Sequence, residues 1–153
     1  MKDFLLLLIT AFTFSNVNAA TKNTQPEIGK YPQQYTSGDY VVTILRLGDE
    51  SKNTALIKVD GIDNKHDGQI YKHTKKCQNK QCTSYIYETT EIPNKKTWWT
   101  INASISYAHT NLNFFPPTID KKHSLNKSKR PKGFNSQKFY KEYLGQLALR
   151  NKK

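Results

Sequence analysis

Thr97-Trp98-Trp99-Thr100-Ile101-Asn102-Ala103-Ser104-Ile105-Ser106-Tyr107 is the stretch that decides the fold. Apolar and polar side chains alternate along it. Trp99, Ile101, Ala103, Ile105 and Tyr107 fall on one face, and Trp98, Thr100, Asn102, Ser104 and Ser106 on the other. Successive side chains of a strand point to opposite sides, so this pattern predicts a sheet covered on one side. Trp98 is the exception, an aromatic on the polar face.

Working outward, Tyr40-Val41-Val42-Thr43-Ile44-Leu45-Arg46-Leu47 is rich in β-branched residues and apolar on both faces, which predicts a well-buried strand. The polar turn at 48–53 leads to a strand over 54–59, with Ala55, Ile57 and Val59 on one face. These two form an antiparallel pair. Further strands are predicted at 69–74 and 83–90, and a short last one at Leu112-Asn113-Phe114-Phe115 before Pro116-Pro117. Near the C-terminus Asn135 can cap a helix, with Phe134 and Phe139 placed as a hydrophobic staple. Phe139, Tyr143, Leu144, Leu147 and Ala148 make its apolar stripe. The expected fold is mainly β: a small antiparallel sheet of five or six strands, curled or sandwich-like, with one C-terminal amphipathic helix.

The organisation reads as an export signal at 1–19, an irregular lead-in at 20–38 and a β-rich core at 39–118. A basic loop at 119–134 and a helix at 135–150, packed on the same domain, follow. The signal rests on the apolar run Phe4-Leu5-Leu6-Leu7-Leu8-Ile9-Thr10-Ala11-Phe12-Thr13-Phe14 with Val17-Asn18-Ala19 behind it. That run is shorter than the roughly 20 residues that span a bilayer, and no later stretch is long and apolar enough to do so. The expected location is the periplasm or outside the cell, which lowers the weight of cytosolic functions.

The formal charge is +12, and 11 basic against 2 acidic side chains fall in residues 120–153. A basic end of this kind attracts anions of many sorts. Cys77 and Cys82, the only cysteines, predict a structural disulfide in an oxidising compartment. Their spacing fits neither a Cys-x-x-Cys redox site nor a zinc site.

Four constellations are candidates for chemistry or binding. Asp60, Asp63 and Asp67, with Asn64 and His66, would come closest to holding a hard cation. Lys65 and the missing closing glutamate break the match to an EF-hand loop, and Asp and Asn are ordinary turn residues. His73 and His109, with Glu88 or Glu91, would be the acid–base groups of a hydrolase, although no spacing ties them together. Trp98 with Tyr85 and Tyr87 would make an aromatic platform for stacking or for a protein contact, unless the helix covers Trp98. Lys121, Lys122, Lys129 and Arg130 form a polyanion-binding patch without interleaved aromatics. Asn102-Ala103-Ser104 and Asn126-Lys127-Ser128 match the glycosylation pattern.

These observations favour an exported, non-catalytic binding protein without a cofactor or metal. Its expected partner is another exported or envelope protein, in an inhibitor, immunity-like or accessory role, met by Trp98 or the basic surface. Non-specific polyanion binding would accompany it. The alternatives are a secreted hydrolase of a phosphodiester or polysaccharide, and a cell-wall or surface-associated structural subunit.

Overall fold

A computed structural model of the chain describes residues 25–152 apart from Ala108, Lys129, Arg130 and Lys132; the export signal read at 1–19 lies outside them. Among the described residues, eight antiparallel strands follow one another around a closed barrel. They are β1 (Gln33–Ser37), β2 (Tyr40–Leu47), β3 (Thr54–Asp60), β4 (Ile70–Cys77), β5 (Ser84–Thr89), β6 (Trp98–Ile105), β7 (Thr110–Phe114) and β8 (His123–Lys127). β1 closes the ring on β8, with Tyr35 opposite Lys127 and Thr36 opposite Asn126.

The five- or six-stranded curled or sandwich-like sheet expected from the sequence is thereby corrected. The two strands that close the ring come from stretches read as irregular: β1 from the lead-in at 20–38 and β8 from the basic loop at 119–134. Each buries one apolar side chain, Tyr35 in β1 and Leu125 in β8, amid polar neighbours. One buried residue in five gives no readable periodicity. Such strands are held by ladders on both sides, and closure removes the exposed edges that a curled sheet would leave.

The barrel interior follows from register. Ile44 stands opposite Ile57 and Val42 opposite Val59, and these pack with Ile101, Ala103, Leu112 and Phe114. Ile101 and Phe114 are fully buried, each contributing about 1.5–3 kcal/mol relative to exposure. The opposite face of β2 is apolar for a second reason. Leu45 and Leu47, with Leu56 and Ile70, lie under a helix, α1 (Ser136–Arg150).

Asn135 caps α1, its side chain accepting from the Lys138 N–H at 2.9 Å. Phe134 and Phe139 meet at 5.3 Å between ring centres. The buried face is Phe139, Tyr140 and Tyr143, while Leu144 and Ala148 are exposed. The helix is therefore rotated toward Tyr140 from the stripe read in the sequence. Its far end is fixed by Arg150, which donates to the Ile70 carbonyl at 3.0 Å and pairs with Glu91 at 3.3 Å. The Tyr143 hydroxyl donates to the other Glu91 oxygen at 2.7 Å.

The deciding stretch holds a surprise. Tyr87 pairs with Ile101 but Glu88 pairs with Trp99, so Thr100 is an extra residue in β6. A bulge of this kind turns two successive side chains toward one side. Thr100 and Ile101 are 1% and 0% exposed, and alternation is inverted on the N-terminal side. Trp99, expected in the core, is 56% exposed, and Trp98 is half-buried with its indole N–H donating to the Phe115 carbonyl. Ile105 and Tyr107, expected on the core face, are also exposed.

The two ends of the barrel differ. At one end the 61–69 and 115–122 connections fold inward, burying Ile62, His66, Pro116 and Pro117. The Asn64 side chain reaches the Pro117 carbonyl at 3.4 Å. Gly61 permits the first of these turns. Its φ is +90°, and a Cβ there would stand 2.3 Å from the Asp39 carbonyl oxygen. The other end, where β2 leads to β3 and β4 to β5, is open.

Candidate functional site at the open end of the barrel

The open end holds a cavity of about 670 Å³. Its apolar wall is Ile44 of β2 and Ala55 of β3. Three cations line it, each on a different element. Arg46 lies on the inner face of β2, opposite Ala55. Lys75 lies on β4, opposite Tyr87 of β5. Lys30 comes from the segment before β1. That segment extends the barrel wall along the end of β2: the Gly29 N–H donates to the Arg46 carbonyl at 2.9 Å and the Gly48 N–H to the Glu27 carbonyl. No Asp or Glu lines the cavity among the described residues.

Tyrosines complete the wall. Tyr85 and Tyr87, two apart on β5 and so on one face, meet edge to face at 5.8 Å. Tyr31 stands at the rim, 56% exposed. The Lys75 ammonium lies 4.1 Å from the centre of the Tyr85 ring, and that of Lys30 lies 5.4 Å from Tyr31. Burial raises the Tyr85 hydroxyl above the usual phenol range. Tyr87 is pushed up to about 12, first by burial and then by the Tyr85 and Tyr35 phenols. Both remain neutral hydrogen-bond donors. Arg46 pairs with Glu27 at 3.7 Å across solvent-exposed side chains, a contact of the loose kind.

Of the residues singled out in the sequence, Tyr85 and Tyr87 lie here, but Trp98 does not join them. It lines a separate depression near the closed end with Trp99, Phe115 and Asp120, with the Lys95 ammonium 5.6 Å from its ring. The helix that was the alternative cover for Trp98 sits instead on β2–β4. Lys30, Tyr31, Arg46 and Lys75 were missed. Arg46 left a signal, a lone cation in an otherwise apolar strand.

The acid–base candidates are not brought together. His73 is buried on the inner face of β4, its Nδ1–H donating to the Tyr71 carbonyl at 2.9 Å and its Nε2 accepting from the Thr100 hydroxyl at 2.7 Å. Burial lowers its pKa to about 4. Glu88 stands opposite Thr74, on the outer face, and pairs with Lys76. His109 is exposed in the turn between β6 and β7. Glu91 belongs to the helix anchor.

The Asp60, Asp63 and Asp67 loop is a turn of the closed end. Asp67 accepts from the Gly61 and Ile62 N–H groups at 2.7 and 3.0 Å, and Asp60 pairs with Lys58 at 3.0 Å. Among the described residues no three His, Cys, Asp or Glu side chains gather as a metal site would require. Lys121 and Lys122 are exposed just before β8, at the closed end, while Lys129 and Arg130 lie outside the described residues. Cys77 and Cys82 form a disulfide across the β4–β5 turn at the open rim. No described helix is long and apolar enough to cross a membrane.

No family model matches this chain, and no curated protein or solved structure matches it either.

Proposed function

We propose that this chain is an exported binding protein without catalytic chemistry of its own, and that its contact site is the open end of the barrel. The observation that carries the reading is the cavity itself: closed below, open above, lined by three cations and by tyrosines. Eight-stranded barrels have interiors that either fill with side chains or hold one small ligand, and a volume of 670 Å³ lies within the range of ligand pockets. Export is supported by the apolar run at 4–14 and by the Cys77–Cys82 disulfide, a bond of oxidising compartments.

The test compares the protein recovered from its natural source with a Gln33→Trp variant recovered in the same way. Gln33 lines the cavity at its rim and is exposed, so the added indole obstructs the entrance without replacing a core residue. Native mass spectrometry is expected to show a bound species on the wild type that is missing from the variant. An equal bound fraction on both proteins, or none on the wild type, contradicts the reading.

A further inference from the structure

We infer that the ligand of the open end is a small organic anion with an apolar or planar body, its charged head held by Lys30, Arg46 and Lys75. The inference rests on the reading of the open end as the contact site and adds the chemical class of what enters it.

The three cations line one cavity instead of forming a track along the surface. Lys30, Arg46 and Lys75 come from three separate elements and line one cavity without a carboxylate among the described lining residues. A polyanion neutralises cations spread along its length, whereas these three share the wall of a single cavity. The Lys75 ammonium is held over the Tyr85 ring, a neutral partner that keeps its full charge. Arg46 has Glu27 at 3.7 Å, with 42% and 66% of the two side chains exposed. An incoming anion can exchange with that carboxylate at little cost.

The walls specify the rest of the molecule. Ile44 and Ala55 offer an apolar surface, and Tyr31, Tyr85 and Tyr87 offer aromatic rings. Inorganic phosphate would leave these surfaces unused. A neutral apolar molecule would partly desolvate the Lys30 and Lys75 ammonium groups without supplying an opposite charge, which is unfavourable. An amphipathic anion satisfies both halves of the site, as ligand pockets with apolar walls and a few placed polar groups do.

Two fluorescent probes separate these possibilities. 1-Anilinonaphthalene-8-sulfonate carries the anionic head, and N-phenyl-1-naphthylamine is the same ring system without it. The sulfonate is expected to bind at least tenfold more tightly than the amine. Lys75→Gln and Arg46→Gln are each expected to weaken it about tenfold, and Gln33→Trp to abolish it, with near-UV circular dichroism confirming that each variant is folded. Inorganic phosphate should compete only weakly. If the amine binds as tightly as the sulfonate and both are lost in Gln33→Trp, the head-group inference is overturned while the open-end reading stands. Sulfonate binding that survives Gln33→Trp and Lys75→Gln overturns both. Displacement by phosphate at concentrations comparable to the probe, or no sulfonate binding at all, overturns the inference.

Discussion

The ammonium of Lys75 lies 4.1 Å from the centre of the Tyr85 ring, toward the open end of an eight-stranded barrel whose other end is covered by the buried Ile62, His66, Pro116 and Pro117. Lys75 is carried by β4 and Tyr85 by β5, so the pair links the cationic and aromatic parts of the cavity. A double-mutant cycle with Lys75→Gln and Tyr85→Leu should give a coupling of about 0.5–1 kcal/mol, the usual size for a partly exposed cation over a ring. Additive effects in denaturant unfolding would mean that the two side chains do not interact in solution.

His73 makes the fold sensitive to acid. Its folded pKa is lowered from 6.5 to about 4 because the charged imidazolium would be buried. Between these values the unfolded chain binds a proton that the folded chain refuses, so stability is full above pH 6.5 and falls as pH drops toward 4. The integrated loss is about 3 kcal/mol. His66, also lowered by burial and then by Lys65, adds a loss of the same sign. Urea unfolding from pH 7 to pH 4 should be less pH-dependent in His73→Gln than in the wild type. Equal slopes would contradict a neutral, buried His73.

The anchor of the helix predicts a large single-site effect. Arg150 and Glu91 are only 14% and 15% exposed in their side chains, and Glu91 also accepts from the Tyr143 hydroxyl and the Lys72 N–H. Glu91→Leu leaves the guanidinium buried beside an apolar group, at a cost of about 3–5 kcal/mol. Arg150→Met added to it should restore most of that loss. A Glu91→Leu loss below about 1 kcal/mol in chemical unfolding would show that the helix is not held in this way.

The disulfide spans a short turn. Replacing Cys77 and Cys82 together by serine should lower stability by about 2 kcal/mol, the chain-entropy value for so small a ring. Thermal unfolding of the double variant against the oxidised wild type checks it, and an unchanged midpoint would contradict a structural role.

The sequence made the inner strands legible where burial repeats with a period of two. β3 is the clear case, with Ala55, Ile57 and Val59 all inside. The disulfide and the helix cap could be read because their signals are local. The barrel could not. Its closure depends on β1 and β8, which bury one apolar residue each and are defined by partners far away in the chain. The bulge at Thr100 was hidden for another reason: an inserted residue shows only against the partner strand, and within Thr97 to Tyr107 the one break in alternation is Trp98 beside Trp99, which does not by itself say which of the two faces the core. The cavity was legible only through Tyr85 and Tyr87, whose spacing puts them on one face. Arg46 and Lys75 become neighbours of those rings only when the strands are set side by side.

The most direct test of the open end as the binding site is an amide-by-amide map of the protein with and without 1-anilinonaphthalene-8-sulfonate, by ¹⁵N nuclear magnetic resonance. Shifts are expected to centre on Gln33, Arg46, Ala55, Lys75, Tyr85 and Tyr87, with the amides of Ile62, His66 and Ile119 at the closed end unmoved. Shifts centred instead on Trp98 and Trp99, or on Tyr140 and Leu144 of the helix, would contradict it.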